Sequence, residues 1–315
     1  MKKIIIAGGT GFIGETLIRK FEKSHAVIVL SRKHLMDTKH VKYVKWNGEH
    51  ILADLSIFEK AEALINLCGK SVNCRYTEEN KQEIYDSRIK PSMALGKLIN
   101  SLTQPPKLWL STTSSTIYKH SLTKAHTESN HEFGHGFSID VCHKWEGAIN
   151  NISTPHTRKV LLRTSIVLGK NGGAMKPLLA VTRLGLGGKQ GNGQQKISWI
   201  HEGDLANLVA FLIEREDLSG EFNAASTRPE TNQQFMRVLR KTWRIPFGLP
   251  TPAWMLHVAK LIIGTEPELA LKSRFLLPEK AINAGFEFQY STLQHAFKEI
   301  KDRIEPKKEK ITDWG

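Results

Sequence analysis

The first half of the chain alternates short, β-branched apolar runs with stretches of helical pattern. The runs "KIIIAGG" (3–9), "HAVIVLSR" (25–32), "VKYVKW" (41–46), "EALINLCG" (62–69), "KLWLSTTS" (107–114) and "RKVLLRTSIVLG" (158–169) predict strands. "GETLIRKFEKS" and "EENKQEIYDSRIKPSMALGKLINSL" between them predict helices. Strand, helix, strand at this spacing means βαβ units and a parallel sheet. The runs are apolar on both faces, as strands covered by helices on each side must be. After residue 170 the pattern loosens: "GLGGKQGNGQQKISWIH" predicts a loop or short strands. "GDLANLVAFLIERE" and "TNQQFMRVLRKTW" predict amphipathic helices. A smaller, mainly helical unit follows, through "PAWMLHVAKLIIG", "LPEKAINAGFEF" and "STLQHAFKEIKDRI", with Pro246, Pro250 and Pro252 as its joint. The expected organisation is a first domain over 1–240, with a substrate-side loop at about 170–200, and a small C-terminal domain over 245–300.

Composition narrows the class. The chain has 315 residues, 40% hydrophobic and 24% charged, the balance of an ordinary globular protein. No apolar run reaches the roughly 18 residues of a spanning helix, so no membrane partner is expected. The start, "MKKIIIAGGTGFIG", resembles a signal peptide, but glycines interrupt its apolar stretch and no cleavage site follows; it reads as a first strand. Three cysteines, with no metal-ligand spacing, suit a reducing cytoplasm and no metal. The net charge of +14 raises the question of nucleic acid. Its lysines are scattered, and the terminal "EPKKEKITDWG" mixes signs. A polyanionic small molecule explains part of the excess more simply, and no nucleic-acid partner is expected. A homo-oligomer stays open.

The strongest chemical signal is "IIIAGGTGFIGETLI". An apolar strand runs into Gly8, Gly9, Thr10, Gly11, Phe12, Ile13 and Gly14, and a helix follows. Glycines here permit a tight turn and a close approach of backbone N–H groups to a pyrophosphate, to which the helix N-terminus adds its positive end. An NAD site usually ends the second strand with a carboxylate for the ribose 2′-hydroxyl. Here that strand ends in Ser31-Arg32-Lys33, and no carboxylate appears before Asp37. A hydroxyl and a guanidinium suit a 2′-phosphate, which points to NADP(H).

On these motifs the chain resembles the atypical extended short-chain dehydrogenase/reductases, in the epimerase family subgroup of the NAD-dependent epimerase/dehydratase type. The matching stretches are "GGTGFIG", "LSRK", "INLCGKSVNCRYTEENKQEIYDSRI", the long run from Leu162 to Val209, and "LPEKAINAGFEF". The resemblance implies an α/β extended Rossmann fold, a doubly wound, mostly parallel sheet with a smaller, mainly helical C-terminal domain on the substrate side. It also implies NADP(H) contacts on the glycine loop, on Ser31 and Arg32, and on Leu67, Cys68 and Gly69. Further implied contacts are Glu83, Arg88 and Arg163.

Carbonyl reduction needs a proton donor at the oxygen. In the parent superfamily a tyrosine supplies it, a lysine four residues on lowers its pKa, and a serine orients the carbonyl. Ser114, four residues before Tyr118 in "STTSSTIYKH", matches the serine. Aligned by Trp145-Glu146, the helix "FSIDVCHKWEGAIN" puts Ser138 and Cys142 where the tyrosine and lysine belong. Neither reproduces a phenol assisted by an ammonium. The acid is therefore sought at Tyr118 or His201, with Ser114 orienting the substrate. His201 has the competing reading of a packed histidine, with Asp204 as a helix N-cap. Gln194, Gln195 and Lys196 are either substrate contacts or loop residues. Two functions follow: an NADP(H)-binding oxidoreductase or nucleotide-sugar-epimerase-like enzyme of unknown small-molecule substrate, or a catalytically silent NADPH-binding sensor or partner protein.

Overall fold

The computed structural model describes residues 1–51, 53–130, 132–256 and 266–306. Most of the helix predicted in "PAWMLHVAKLIIG" lies outside them.

Seven parallel strands form the main sheet, in the order β10-β6-β5-β4-β1-β2-β3. They are β1 (Lys2–Ala7), β2 (His25–Ser31), β3 (Val41–Lys45), β4 (Ala63–Asn66), β5 (Leu108–Ser114), β6 (Arg158–Thr164) and β10 (Gly220–Ala224). In β1 the pleat sends Ile4 and Ile6 to one face and Ile5 and Ala7 to the other. All four are fully buried, because helices cover both faces. On one side α1 (Phe12–Phe21) and α5 (Glu202–Glu214) pack Leu17, Leu205, Leu208 and Leu212 onto the sheet. On the other, α2 (Glu78–Ser101) and α3 (Phe137–Asn150) bring Leu95, Ile99, Trp145 and Ile149. This is the parallel sheet that the alternation predicts and the doubly wound, Rossmann-type fold that the resemblance implies.

Two features depart from the sequence pattern. The run 158–169 is one strand by hydrophobicity, but it breaks at Ser165, whose N–H and hydroxyl both donate to the Ala224 carbonyl, at 3.1 and 2.7 Å. The chain leaves the main sheet there, and β7 (Ile166–Leu168) pairs with β9 (Trp199–His201) instead. The seventh strand, β10, has no apolar run to announce it.

The remaining described residues include α4 (Met175–Val181), β8 (Lys196–Ile197), β11 (Glu230–Thr231), α6 (Asn232–Thr242), α7 (Glu268–Leu271), α8 (Glu279–Asn283) and α9 (Leu293–Ile304). Helices α6 and α9 share a separate core around Trp199, Phe235, Leu239, Trp243 and Phe297. Among the described residues no helix is long and apolar enough to cross a membrane.

Candidate functional site

The glycine loop joins β1 to α1 at the carboxyl end of the sheet. Gly8 has φ +74°, and its N–H donates to the Leu30 carbonyl at 3.0 Å. A Cβ on Gly8 would stand 3.1 Å from the Cys68 nitrogen and the Leu67 carbonyl carbon. A Cβ on Gly14 would stand 2.2 Å from the Gly9 oxygen, so α1 lies directly on the loop. Gly11 is different: nothing comes within 4 Å of where its Cβ would be. It is also the N-cap of α1, with no side chain bonded to the first-turn N–H groups. Close backbone, an open face and unclaimed helix N–H groups together fit a pyrophosphate. Phe12 turns away from this cradle and fills the space above Gly169 and Gly172.

Beside the cradle, Ser31 is buried and its hydroxyl accepts from the Lys33 N–H at 3.0 Å. Arg32 is exposed. Burial pushes the Cys68 thiol up to about 12, against the pull of the Arg32 charge. The guanidinium and the thiol thus belong to one neighbourhood, across the strand ends. Asn66 sets the chain after β4: its Oδ1 accepts from the Cys68 N–H at 3.0 Å, and its amide donates to Ser92 at 3.1 Å. Arg88 braces the same stretch by donating to the Lys70 carbonyl at 2.9 Å, with its side chain against Gly69. Exposed Glu83 pairs with the Lys70 amine. Glu83 and Arg88 therefore shape the wall formed by Leu67, Cys68 and Gly69.

Arg163 is placed otherwise. It is 3% exposed, and its guanidinium donates to both Glu146 oxygens at 3.0 and 2.7 Å and to the Tyr118 hydroxyl at 3.0 Å. Burial alone would lower its pKa; the hydrogen bonds and charge of Glu146 reverse this and hold it above the ordinary value. It ties β6 to α3 inside the protein, behind the site.

The two candidate acids are enclosed in the same way. Tyr118 is 2% exposed, with its hydroxyl donating to Asn223 at 2.9 Å and accepting from Arg163. Burial also raises its pKa. The phenol is thus buried with a donor and an acceptor already in place. His201 is 1% exposed; its Nδ1 accepts from the Gly203 N–H at 3.1 Å and its Nε2 lies 2.9 Å from Glu299. His201, not Asp204, is the N-cap of α5. Asp204 instead accepts the backbone N–H groups of Gln289 and Tyr290, at 3.0 and 2.9 Å. Gln195 is likewise structural, with its buried amide donating to the Gln190 and Ala270 carbonyls. Lys196 lies over the Phe275 ring.

Ser114 stands at the end of β5, where its hydroxyl accepts from the Thr116 N–H at 3.2 Å. The Thr116 carbonyl in turn accepts from the Lys272 amine at 3.1 Å. This lysine arrives from far along the chain, and it is not alone. Ser138 donates to Glu268 at 3.3 Å and lies 3.4 Å from the Tyr76 hydroxyl. Glu268 is 3.8 Å from Lys272. Cys142 lies a turn below, its thiol 3.2 Å from the Ser138 carbonyl. Burial pushes that thiol up to about 12, with the Glu146 charge adding to it against Arg88, Lys272 and Arg274. A tyrosine from before α2 and a lysine from after α7 thus meet beside the two positions where α3 lacks them. No local motif marks either residue; only the fold brings them together. Among the described residues no group of His, Cys, Asp and Glu is placed to hold a metal.

Comparison with known proteins agrees with this architecture. Residues 4–225 match the model of the NAD dependent epimerase/dehydratase family, and residues 251–300 match a domain of unknown function, DUF1731. An epimerase family protein of Staphylococcus aureus is 32% identical over 305 residues, which cover 95% of this chain and 99% of that protein. The epimerase family protein YfhF of Bacillus subtilis is 32% identical over 299 residues, 94% of this chain and 97% of its own. The crystal structure of the human epimerase family protein SDR39U1, isoform 2, with NADPH superposes with a TM-score of 0.83 at 28% identity. That match covers 95% of this chain and 99% of the human one.

Proposed function

The chain belongs to the NAD dependent epimerase/dehydratase family, and from that premise we propose that it is an NADP(H)-dependent oxidoreductase acting on a carbonyl compound. The observation that carries the choice of dinucleotide is Arg32, exposed at the end of β2 where a carboxylate would select NAD. A guanidinium offers paired donors to a 2′-phosphate. The human relative's complex with NADPH supports the same choice.

A bound reduced nicotinamide would supply hydride. The protein's own groups do the rest. The N–H groups of the glycine loop and of the first turn of α1 hold the pyrophosphate. Ser114 orients the carbonyl from the end of β5. Leu67, Cys68 and Gly69, braced by Arg88, wall the trough. A silent sensor would have no use for polar side chains beside the strand ends. The cluster of Tyr76, Ser138, Glu268 and Lys272 therefore favours an enzyme. The three free thiols support a cytoplasmic setting.

The test has two parts. NADPH and NADH are titrated against the purified protein by fluorescence, and a panel of carbonyl compounds is screened by loss of NADPH absorbance. Tighter NADPH binding with turnover of at least one carbonyl class is expected. Superimposable titrations would remove the NADP(H) assignment.

A further inference from the structure

We infer that Tyr76 is the proton donor of this site, and that Ser138, Glu268 and Lys272 set its ionisation. The inference rests on the oxidoreductase reading above.

The polar groups are neighbours. The Tyr76 hydroxyl is 3.4 Å from Ser138 Oγ, which donates to Glu268 Oε2 at 3.3 Å. Glu268 Oε1 is 3.8 Å from the Lys272 amine, which donates to the Thr116 carbonyl at 3.1 Å. Thr116 shares its turn with Ser114, the carbonyl-orienting serine. A phenol and an ammonium, the two chemical types missing from α3, are thus present beside Ser138 and Ser114. They are contributed by the segment before α2 and the segment after α7. Ser138 keeps a role in this arrangement: its small hydroxyl bridges Tyr76 to Glu268, where a tyrosine side chain would fill the space.

The surroundings suit an acid. Tyr76 is half-buried, with its ring edge-on to Phe137 at 4.7 Å. Burial raises its pKa, the Ser138 hydrogen bond opposes this, and the charges of Glu268, Glu266 and Cys74 add to it. Arg88 and Arg274 face it with positive charge. The phenol is thus protonated at neutral pH, the form that can give a proton. The Lys272 side chain is 9% exposed. Burial lowers its pKa, helped by Arg274. Its charge stands opposite Glu268.

The step balances as follows. With a reduced nicotinamide as hydride source, a C–H bond forms at the carbonyl carbon and the C=O π pair moves to oxygen. That oxygen takes the Tyr76 proton. The phenolate regains its proton from water.

The test reads the phenol directly, without substrate. Position 76 is filled with 3,5-difluorotyrosine, whose phenol ionises near neutral pH, and its phenolate absorbance is followed against pH. Lys272→Met should raise its apparent pKa, by leaving the Glu268 charge uncompensated, and Lys272→Arg should restore it. Ser138→Ala should raise it and Glu268→Gln should lower it, each by about half a unit or more. Folding and NADPH affinity are monitored in every variant. With a carbonyl substrate from the screen, Tyr76→Phe should lower kcat by about 10²-fold or more at unchanged NADPH affinity. A phenol indifferent to Lys272→Met and Glu268→Gln overturns the inference, as does Tyr76→Phe with undiminished kcat. A protein that binds no reduced nicotinamide fails at the earlier reading instead, and the ionisation measurements then still decide whether these groups are coupled.

Discussion

At the scale of single residues, the chemistry is divided between groups that hold the fold and groups left open to a ligand. Arg32 is open. Arg32→Ala should weaken NADPH binding by about 1.5–3 kcal/mol, the worth of a charge-assisted hydrogen bond, and leave NADH nearly unchanged. Equal losses for both cofactors in fluorescence titration would mean that Arg32 does not read the 2′-phosphate. Tyr118 is closed. Tyr118→Phe leaves Asn223 and Arg163 each short of a buried partner, so it should cost about 1–3 kcal/mol of stability in denaturant unfolding. NADPH affinity and kcat should stay as they were; a loss of kcat in a folded variant would return Tyr118 to the acid's role. The sequence makes Arg32 legible because its meaning depends on one neighbour, the end of a strand. The enclosure of Tyr118 and His201 is not legible, because side-chain type is written in the sequence and burial is not. Tyr76 and Lys272 are illegible for a third reason: they lie 196 positions apart in the chain, and each depends on what the other end of the fold places beside it.

At the scale of elements, the glycine loop separates packing from recognition. Gly14→Ala puts a Cβ 2.2 Å from the Gly9 oxygen, a backbone atom that cannot move away without shifting the loop. It should lower the unfolding midpoint strongly. Gly11→Ala meets nothing within 4 Å, at a φ of −93° that alanine adopts freely. Its cost in stability should be small, a few tenths of a kcal/mol at an N-cap, while its methyl group stands in the open face of the cradle and weakens NADPH. If Gly11→Ala binds NADPH like the wild type, the dinucleotide does not cross that face. Most elements are legible because β-branched runs and helical patterns alternate through residues 3–169. Strand β10 is not, since its sequence GEFNA holds a buried polar residue. Asn223 is tolerated at 0% exposure because it accepts from Tyr118 and donates to the Leu277 carbonyl at 3.1 Å. Only the assembled fold makes that position strand-like.

At the scale of the whole molecule, the C-terminal segment is fastened to the nucleotide-binding sheet by charge as well as by the core under α6. Arg303 of α9 donates to Glu202 at 2.6 Å and to Glu299 at 3.2 Å, and Glu299 holds His201. Glu202, at 3% exposure, also accepts from Thr16 of α1 at 3.1 Å. This network joins the helix that follows the glycine loop to the last described helix, and the segment between them supplies Glu268 and Lys272 to the site. The fastening should depend on pH. Burial alone would raise the Glu299 pKa, but the hydrogen bond and charge of His201, with Arg303, take it below its ordinary 4.5. A carboxyl depressed in the folded state stabilises fully above its unfolded pKa, and loses that contribution as pH falls through the folded value. Wild type should therefore be more stable than Glu299→Gln at pH about 7, and the gap should narrow below pH about 4.5 as both side chains become neutral. Urea midpoints for the two proteins across that range measure the gap. A gap that stays constant into acid would assign the effect of Glu299 to packing, and the closure of the molecule would then rest on its apolar core alone.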